Sequence, residues 1–339
     1  MKARLVRLAV VALWLSVGVS CGGGGGSDSP TSPTINTPTG TAEISPNPQS
    51  WTLLSTELTL PTFGPGFHPT KTVRVGSLLR TYYVRSDGFI AYTESTDGTN
   101  FGPSIPTNIQ RVTSQGDIRN GLDHPTVMQR TDGKFLMVYD YVTDNSSNFA
   151  KRLIARVSDD GITFGAGVLM PASIMDNSPS AGVPFQGVTG LVTMSDGSIR
   201  AYYTAAGAYV ASSRTTDGGA TWTQDAGYRL AASVITGGFG DVGAVKDVDG
   251  TIILYVHYVT DFGCPNSGGS SVGCASIRMA RSTDGLTFQL YAGNILTPPG
   301  GTTEYDDPDV FITAGGRWRM LFGEASRTGG TKLRIAERQ

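Results

Sequence analysis

Short runs of β-branched and aromatic residues, broken by Gly, Asp and Asn, fill the chain from residue 50 to its end. KTVRVG, LLRTYYVR and FIAYTES come first; FLMVYDYV, IRAYYTA, TIILYVHYV and RWRMLFGEA follow at intervals. These runs alternate with Gly, Asp and Asn turns, and no long stretch keeps a helical period. The pattern predicts an all-β domain over residues 50–339, long enough to bury one large core.

One turn recurs through this pattern about every 60 residues: STDGTNF (Ser95 to Phe101), SDDGITF (Ser158 to Phe164), TTDGGATW (Thr215 to Trp222) and STDGLTF (Ser282 to Phe288). Such a period marks a repeat architecture. The carboxylates of Asp97, Asp160, Asp217 and Asp284 can take backbone N–H groups, the glycine supplies a positive φ, and the aromatic ring plugs the turn onto the sheet. These turns resemble the Asp-box repeats of sialidase-type β-propellers. The Thr215 copy matches the S/T-x-D-x-G-x-T-W pattern in full; the others are one residue shorter. The resemblance implies a structural role for the turns and a propeller fold.

Laid out blade by blade, the runs make five units of an inner strand, a hairpin partner, a third strand, the Asp turn and an outer strand. The fifth unit stops after KLRIAER, without its turn and outer strand. Trp51 to Pro61 (WTLLSTELTLP) matches the post-turn segment FQLYAGNILTPP in its leading aromatic, its leucines and its closing proline. We therefore expect a five-bladed β-propeller whose ring is closed by an N-terminal strand completing the last blade, protecting an edge that would otherwise stay open.

Lys2, Arg4 and Arg7 precede an apolar run from Leu8 to Val17, too short to span a membrane and shaped like a leader. Gly18-Val19-Ser20-Cys21 resembles a bacterial lipoprotein cleavage box, with Gly18 where that box usually has Leu. The resemblance implies residues 1–21 as signal peptide, lipidation at Cys21, and an exported protein lipid-anchored at the bacterial cell surface or outer membrane. An ordinary secretory signal is the alternative. Residues 22–49, rich in Gly, Ser, Pro and Thr, read as a disordered tether. Cys264 and Cys274 remain, bracketing PNSGGSSVG; a disulfide would close that loop, and zinc lacks partner ligands nearby. A formal net charge of -2 with scattered Lys and Arg argues against a nucleic-acid partner, and membrane contact is expected through the anchor only. The expected state is a monomer.

Strand polarity sorts residues onto two faces. The starts of the inner strands offer His68, Asp123, His124, Gln186, Asp241, Asp307 and Asp309 to one mouth of the central channel. The neighbouring ends of the second strands offer Arg85, Asp140, Tyr141, Thr204, His257, Tyr258 and Glu324. The Asp turns fall on the other face. Tyr82, Tyr139, Tyr202 and Tyr255 sit mid-strand and are expected to pack between blades, whereas Tyr141 and Tyr258 could stack on a sugar ring.

LDHPTVMQRTDGKFLMVYDY and EYDDPDVFITAGGRWRMLFGEAS resemble the blade openings of five-bladed glycosidases, the arabinanase/xylosidase and fructosidase group. In the arabinanase/xylosidase type, Asp, Asp and Glu open the first three blades as base, orienting residue and acid. Here the matching positions hold His68, Asp123 and Gln186, so only Asp123 keeps its type. The resemblance implies a carbohydrate partner and a glycoside hydrolase-like enzyme with rearranged catalytic residues, drawn from Asp123, Asp241, Asp307 and Glu324. A histidine acid is an alternative, with Asp140 orienting His124. His68, His124, Asp140, Tyr141, Gln186, His257, Tyr258 and Asp309 complete the expected substrate contacts. No cofactor is expected, a channel cation on His68, His124, Asp241 and Asp307 being the alternative. Whether the chain is an enzyme stays open: a non-catalytic glycan-binding or adhesion module and a protein-binding scaffold both fit the same mouth.

Overall fold

The computed structural model describes residues 43–44, 47–60, 71–110, 122–142, 151–171, 186–205, 209–231, 238–259, 275–299, 303–326 and 330–339. Every regular element among them is a β-strand. The expected signal peptide, most of the expected tether, His68, Cys21, Cys264 and Cys274 lie outside the described residues.

The strands form five sheets, antiparallel apart from one short parallel pair on blade four. Blade one runs Lys71–Val75, Leu78–Val84, Phe89–Ser95 and Ile105–Gln110, from the channel outward. Blade two is Leu122–Gln129, Phe135–Val142, Lys151–Ser158 and Val168–Leu169. Blade three is Gln186–Thr193, Ile199–Ala205, Tyr209–Thr215 and Thr223–Gln224, with Leu230–Ala231 also pairing to its third strand. Blade four is Gly238–Lys246, Ile252–Val259, Ala275–Ser282 and Gln289–Tyr291. Blade five is Thr303–Ile312, Trp318–Ser326 and Gly330–Arg338, and its outer strand is Trp51–Leu58, antiparallel to Gly330–Arg338. The ring is closed by the N-terminal strand, as expected. Two pieces of the stretch expected as tether also join the fold: Glu43–Ile44 lies parallel to Leu290–Tyr291 on blade four, and Gln49 contacts Tyr255.

Aromatic and aliphatic side chains fill the seams between blades. Tyr82, Tyr139, Tyr202 and Tyr255 are buried, as their mid-strand positions predict. Each Asp turn is clamped twice. Within the turn, Asp97 Oδ1 accepts the Thr99 and Asn100 N–H groups at 2.8 and 2.9 Å, and Gly98, at φ +77°, donates to Ser95 Oγ at 2.8 Å. From the preceding blade, an arginine takes a turn carbonyl: Arg80 that of Asp160, Arg130 that of Gly218, Arg200 that of Asp284 and Arg319 that of Asp97. Tyr82 and Tyr202 add hydroxyl bonds to Gly161 O and Gly285 O at 2.9 and 3.0 Å.

Blade five has no Asp turn, and the N-terminal segment supplies a substitute. Tyr255 donates instead to Gln49 Oε1 at 2.7 Å, and the Trp51 indole N–H reaches the same oxygen at 3.3 Å. Trp51 meets Tyr255 edge-on at 5.6 Å and 84°, the geometry of Phe288 on Tyr202 at 5.5 Å and 83°. Gln49 and Trp51 therefore stand where a turn carbonyl and its aromatic plug stand in blade four.

Candidate functional site at the channel mouth

The inner strands are regular at the turn face and irregular at the mouth. In blades two to five each carries a β-bulge near its start, between Asp123 and Thr126, Gly187 and Thr189, Phe239 and Val242, and Asp306 and Asp309. A bulge re-aims a side chain that a regular pleat would hold elsewhere. His124-Pro125, Gly240-Asp241 and Asp307-Pro308 are the extra pairs. His124 and Asp307 both adopt φ +49°, a region that non-glycine residues rarely enter and that costs about 1–2 kcal/mol per residue. The strands are packed close enough that a Cβ on Gly243 would run into the Pro308 carbonyl, and one on Gly240 into the His257 ring.

These bulges bring three blades together. Asp241 Oδ2 lies 3.1 Å from His257 Nδ1 and accepts the Asp307 backbone N–H at 3.3 Å. His124 Nδ1 lies 3.0 Å from Asp140 Oδ2, and its Nε2 is 3.9 Å from Asp307 Oδ1. His124, Asp241 and Asp307 each place one donor atom within 4.8 Å of the others, an arrangement that could hold a cation. Asp140 is buried; the side chains of His124 and Asp241 stay 16 % and 19 % exposed, so solvent reaches the group.

The cluster is electrostatically uneven. Burial alone would push Asp241 up, but the His257 bond and the charges of His257 and His124 hold its carboxyl well below the usual carboxylate range. Burial would lower His257; the bond to and charge of Asp241, with Asp306 and Glu304 beyond, outweigh it and raise the imidazole to about 9. Asp306 is pushed up to about 7 by burial, opposed by His257 and reinforced by Asp241 and Glu304.

The remaining sequence candidates are placed as follows. Asp309 is buried below the mouth, 3.3 Å from Lys71 Nζ, and its burial raises its carboxyl despite the lysine. Glu324 accepts both Nε and Nη2 of Arg334, at 3.0 and 3.1 Å, in a bidentate pair on blade five. Tyr258 leans on Phe239 at 5.3 Å and carries the Arg278 guanidinium 4.7 Å over its ring. Thr204 donates its hydroxyl to Gly240 O across the blade three–four seam, and Arg85 pairs with Asp87. Asp123 sits opposite Asp140, Tyr141 opposite Leu122 and Gln186 opposite Ala205 in the strand ladders; their side chains are outside the description. His68 lies outside the described residues. Sequence reasoning missed Asp306, buried with no hydrogen-bond partner at Oδ1 among the described residues, and Lys71. The acid-rich run EYDDPD was the available signal for Asp306; nothing local marked Lys71 as the partner of Asp309.

Five blades, four of them with bulged inner strands, and an acid–histidine mouth define a five-bladed β-propeller. No protein-family model and no curated protein matches the chain. Solved structures do: the xylan β-1,4-xylosidase of Bacillus halodurans C-125 is similar at TM-score 0.61 and 15 % identity, over 82 % of this chain and 54 % of that one. A thermostable family-43 glycoside hydrolase is similar at 0.56 and 14 %, over 82 % and 91 %. The endo-arabinase of Bacteroides thetaiotaomicron VPI-5482 is similar at 0.58 and 13 %, over 83 % and 97 %. This chain spans about half the length of the xylosidase. At such identities the likeness is one of fold.

Proposed function

We propose that the protein is a carbohydrate-active propeller, glycoside hydrolase-like with rearranged acid and base groups, carried to the bacterial surface by a lipid on Cys21. The observation that supports this reading is the convergence of His124, Asp241, His257, Asp306 and Asp307 on one solvent-reached mouth of a fold shared with glycoside hydrolases. The groups that would act are different from those at the family's usual positions. Asp241 is held ionised in contact with His257, and His124 is oriented by Asp140 as a proton carrier would be. Glu324, held by Arg334, is better placed to support blade five than to exchange protons.

A second reading, a glycan-binding module without turnover, is favoured by Gln186 at the blade-three opening, because an amide cannot donate a catalytic proton. A glycan array and a panel of aryl-glycosides separate the two. Turnover that falls at least 100-fold in His124→Ala and Asp307→Ala supports the enzyme; binding lost in those variants without any turnover supports the module. No response from the wild type on either platform sinks both and leaves the protein-binding scaffold. Anchoring is tested by Cys21→Ala, which should move the protein out of the membrane fraction.

A further inference from the structure

We propose that the turn-face end of the central channel is a second ligand site, which takes a small amphipathic anion: a carboxylate or sulfonate carried on an apolar body. The site does not rest on the carbohydrate reading of the mouth.

The channel is divided. Between mouth and turn face the inner strands draw together in a waist, held by contacts from blade to blade. Lys71 Nζ on blade one lies 3.3 Å from Asp309 Oδ1 on blade five. Thr126 on blade two donates its hydroxyl to Thr189 O on blade three at 2.6 Å. Gly190 on blade three lies so close to Ala244 on blade four that a Cβ would collide, and Gly243 stands in the same way against the Pro308 carbonyl on blade five. These contacts follow the bulges in chain order, so the mouth cluster stands on one side of the waist and the strand ends on the other.

Beyond the waist the strand ends enclose a cavity of about 480 Å³ that opens at the turn face. That volume is within the range of about 300–1,000 Å³ in which proteins hold small organic molecules. Its wall is apolar on every blade, with Val73, Met128, Leu191, Val245 and Ile312 contributing one side chain each. Four of the five, all but Leu191, are only half-buried. Apolar surface is therefore left toward the cavity, and an apolar body seated there removes it from water.

Charge selects the ligand. Three cations line the cavity, Lys71 at the waist and Arg74 and Lys246 at the rim, and no acidic side chain among the described residues joins them. Arg74 gives its Nε–H to Gly76 O at 3.0 Å, and Lys246 its ammonium to Thr193 O at 3.3 Å; both acceptors are neutral. Neither rim cation has a carboxylate at ion-pair distance among the described residues. The Lys71 side chain is 9 % exposed, and beside its one carboxylate its Nζ has no aligned hydrogen-bond partner among the described residues. An ammonium carries three donors, so acceptors are still wanted at that depth. An apolar wall with positive charge at both ends suits a ligand with an apolar body and an anionic head. A neutral ligand leaves the cations unanswered, and a cationic one is repelled.

The test uses the intact purified protein and two probes: 8-anilinonaphthalene-1-sulfonate followed by fluorescence, and decanoate followed by calorimetry. Each should bind at one per chain and displace the other. Decanol, which keeps the body without the charge, and decyltrimethylammonium, which reverses it, should each bind weaker than decanoate by about 10-fold or more. Met128→Trp, which fills the cavity, and Arg74→Glu combined with Lys246→Glu, which reverses the rim, should each weaken both anions by about 10-fold or more. Arg214→Glu is the control, since that cation sits on the third strand of blade three, paired with Asp196 and outside the cavity, and should change nothing. His124→Ala, at the mouth, should leave anion affinity unchanged whether or not the mouth binds glycans. Circular dichroism checks that each variant is folded, and the rim variant keeps the test decisive if Met128→Trp is not. Absence of one-to-one anion binding, equal binding of decanol, unchanged affinity in the folded rim variant, or loss in His124→Ala overturns the assignment. So does a dimer in sedimentation that Met128→Trp separates, which would make the cavity an interface between copies.

Discussion

Trp51→Ala tests how the ring is locked. The indole is 9 % exposed, packs edge-on against Tyr255, and donates to the same Gln49 oxygen that takes the Tyr255 hydroxyl. Removing a buried tryptophan costs about 3–5 kcal/mol through lost transfer energy and the cavity left behind. For a domain of this size each kcal/mol moves Tm by about 2–4 °C, so thermal unfolding followed by circular dichroism should show a drop of about 6–20 °C. Leu53→Ala is the matched control: it lies on the same strand but is 39 % exposed, and should change Tm by about 2 °C or less. Gln49→Ala should fall between, because it leaves the buried Tyr255 hydroxyl without its acceptor, at about 1–3 kcal/mol. Equal melting of Trp51→Ala and Leu53→Ala would refute the argument that the N-terminal strand closes the ring through this contact.

Asp217→Ala should cost about 1–2 kcal/mol by removing an acceptor from the Thr221 N–H and hydroxyl, and should leave glycan binding at the mouth untouched; a parallel loss of glycan binding would tie the turn face to the site. The four turn carboxylates also set an acid limit. The Asn100 N–H lowers Asp97, the Thr163 N–H lowers Asp160, the Thr221 hydroxyl lowers Asp217, and at Asp284 partial burial is overcome by the Thr287 N–H. A folded pKa below the unfolded one gives stability that is present above about pH 4 and is lost as pH falls through the folded value. The share of Tm that these four carboxylates supply should thus be constant near neutrality and decline below about pH 4, so the wild type should lose Tm there more steeply than a variant lacking Asp97 and Asp217; an unchanged slope would locate the acid sensitivity elsewhere. Gly243→Ala should destabilise by about 1–3 kcal/mol, because its Cβ meets the Pro308 carbonyl, whereas Gly315→Ala, whose Cβ would meet nothing nearer than Thr313 Oγ1 at 4.0 Å, should not; calorimetry of both distinguishes them.

The repeat, the strand runs and the closing strand were legible because each is local. A turn shows its Asp, Gly and aromatic within a few residues, and a buried strand shows its period. Trp51 was readable for the same reason, since the aromatic and leucines after a turn repeat at the chain's other end. What could not be read is set by distance or by backbone geometry. Arg319 reaches Asp97 across 222 positions, and Gln49 replaces a turn carbonyl with a side chain that shares no motif with it. Glu324 looked available at the mouth, yet Arg334, on the adjacent strand, takes both its oxygens. The bulges leave only faint traces, a proline after His124 and after Asp307, yet they decide which side chains meet.

That last point explains how one fold carries unlike chemistries. A regular inner strand would present equivalent positions of all blades at equivalent angles, and the mouth would inherit the symmetry of the ring. Here two residues stand opposite one on blades two, four and five, so neighbouring positions are turned independently: His124 toward Asp140, Asp241 toward His257, and Asp307 toward both Asp241 and His124. The seams, latches and turns that hold the blades need none of this and can stay uniform. Substitution at the bulges therefore changes the site while leaving the framework intact, and the framework still matches other propellers at 13–15 % identity. The cost is borne locally, in the left-handed backbone at His124 and Asp307 and in the buried carboxylate of Asp306, where side chains must be held against their ordinary preferences.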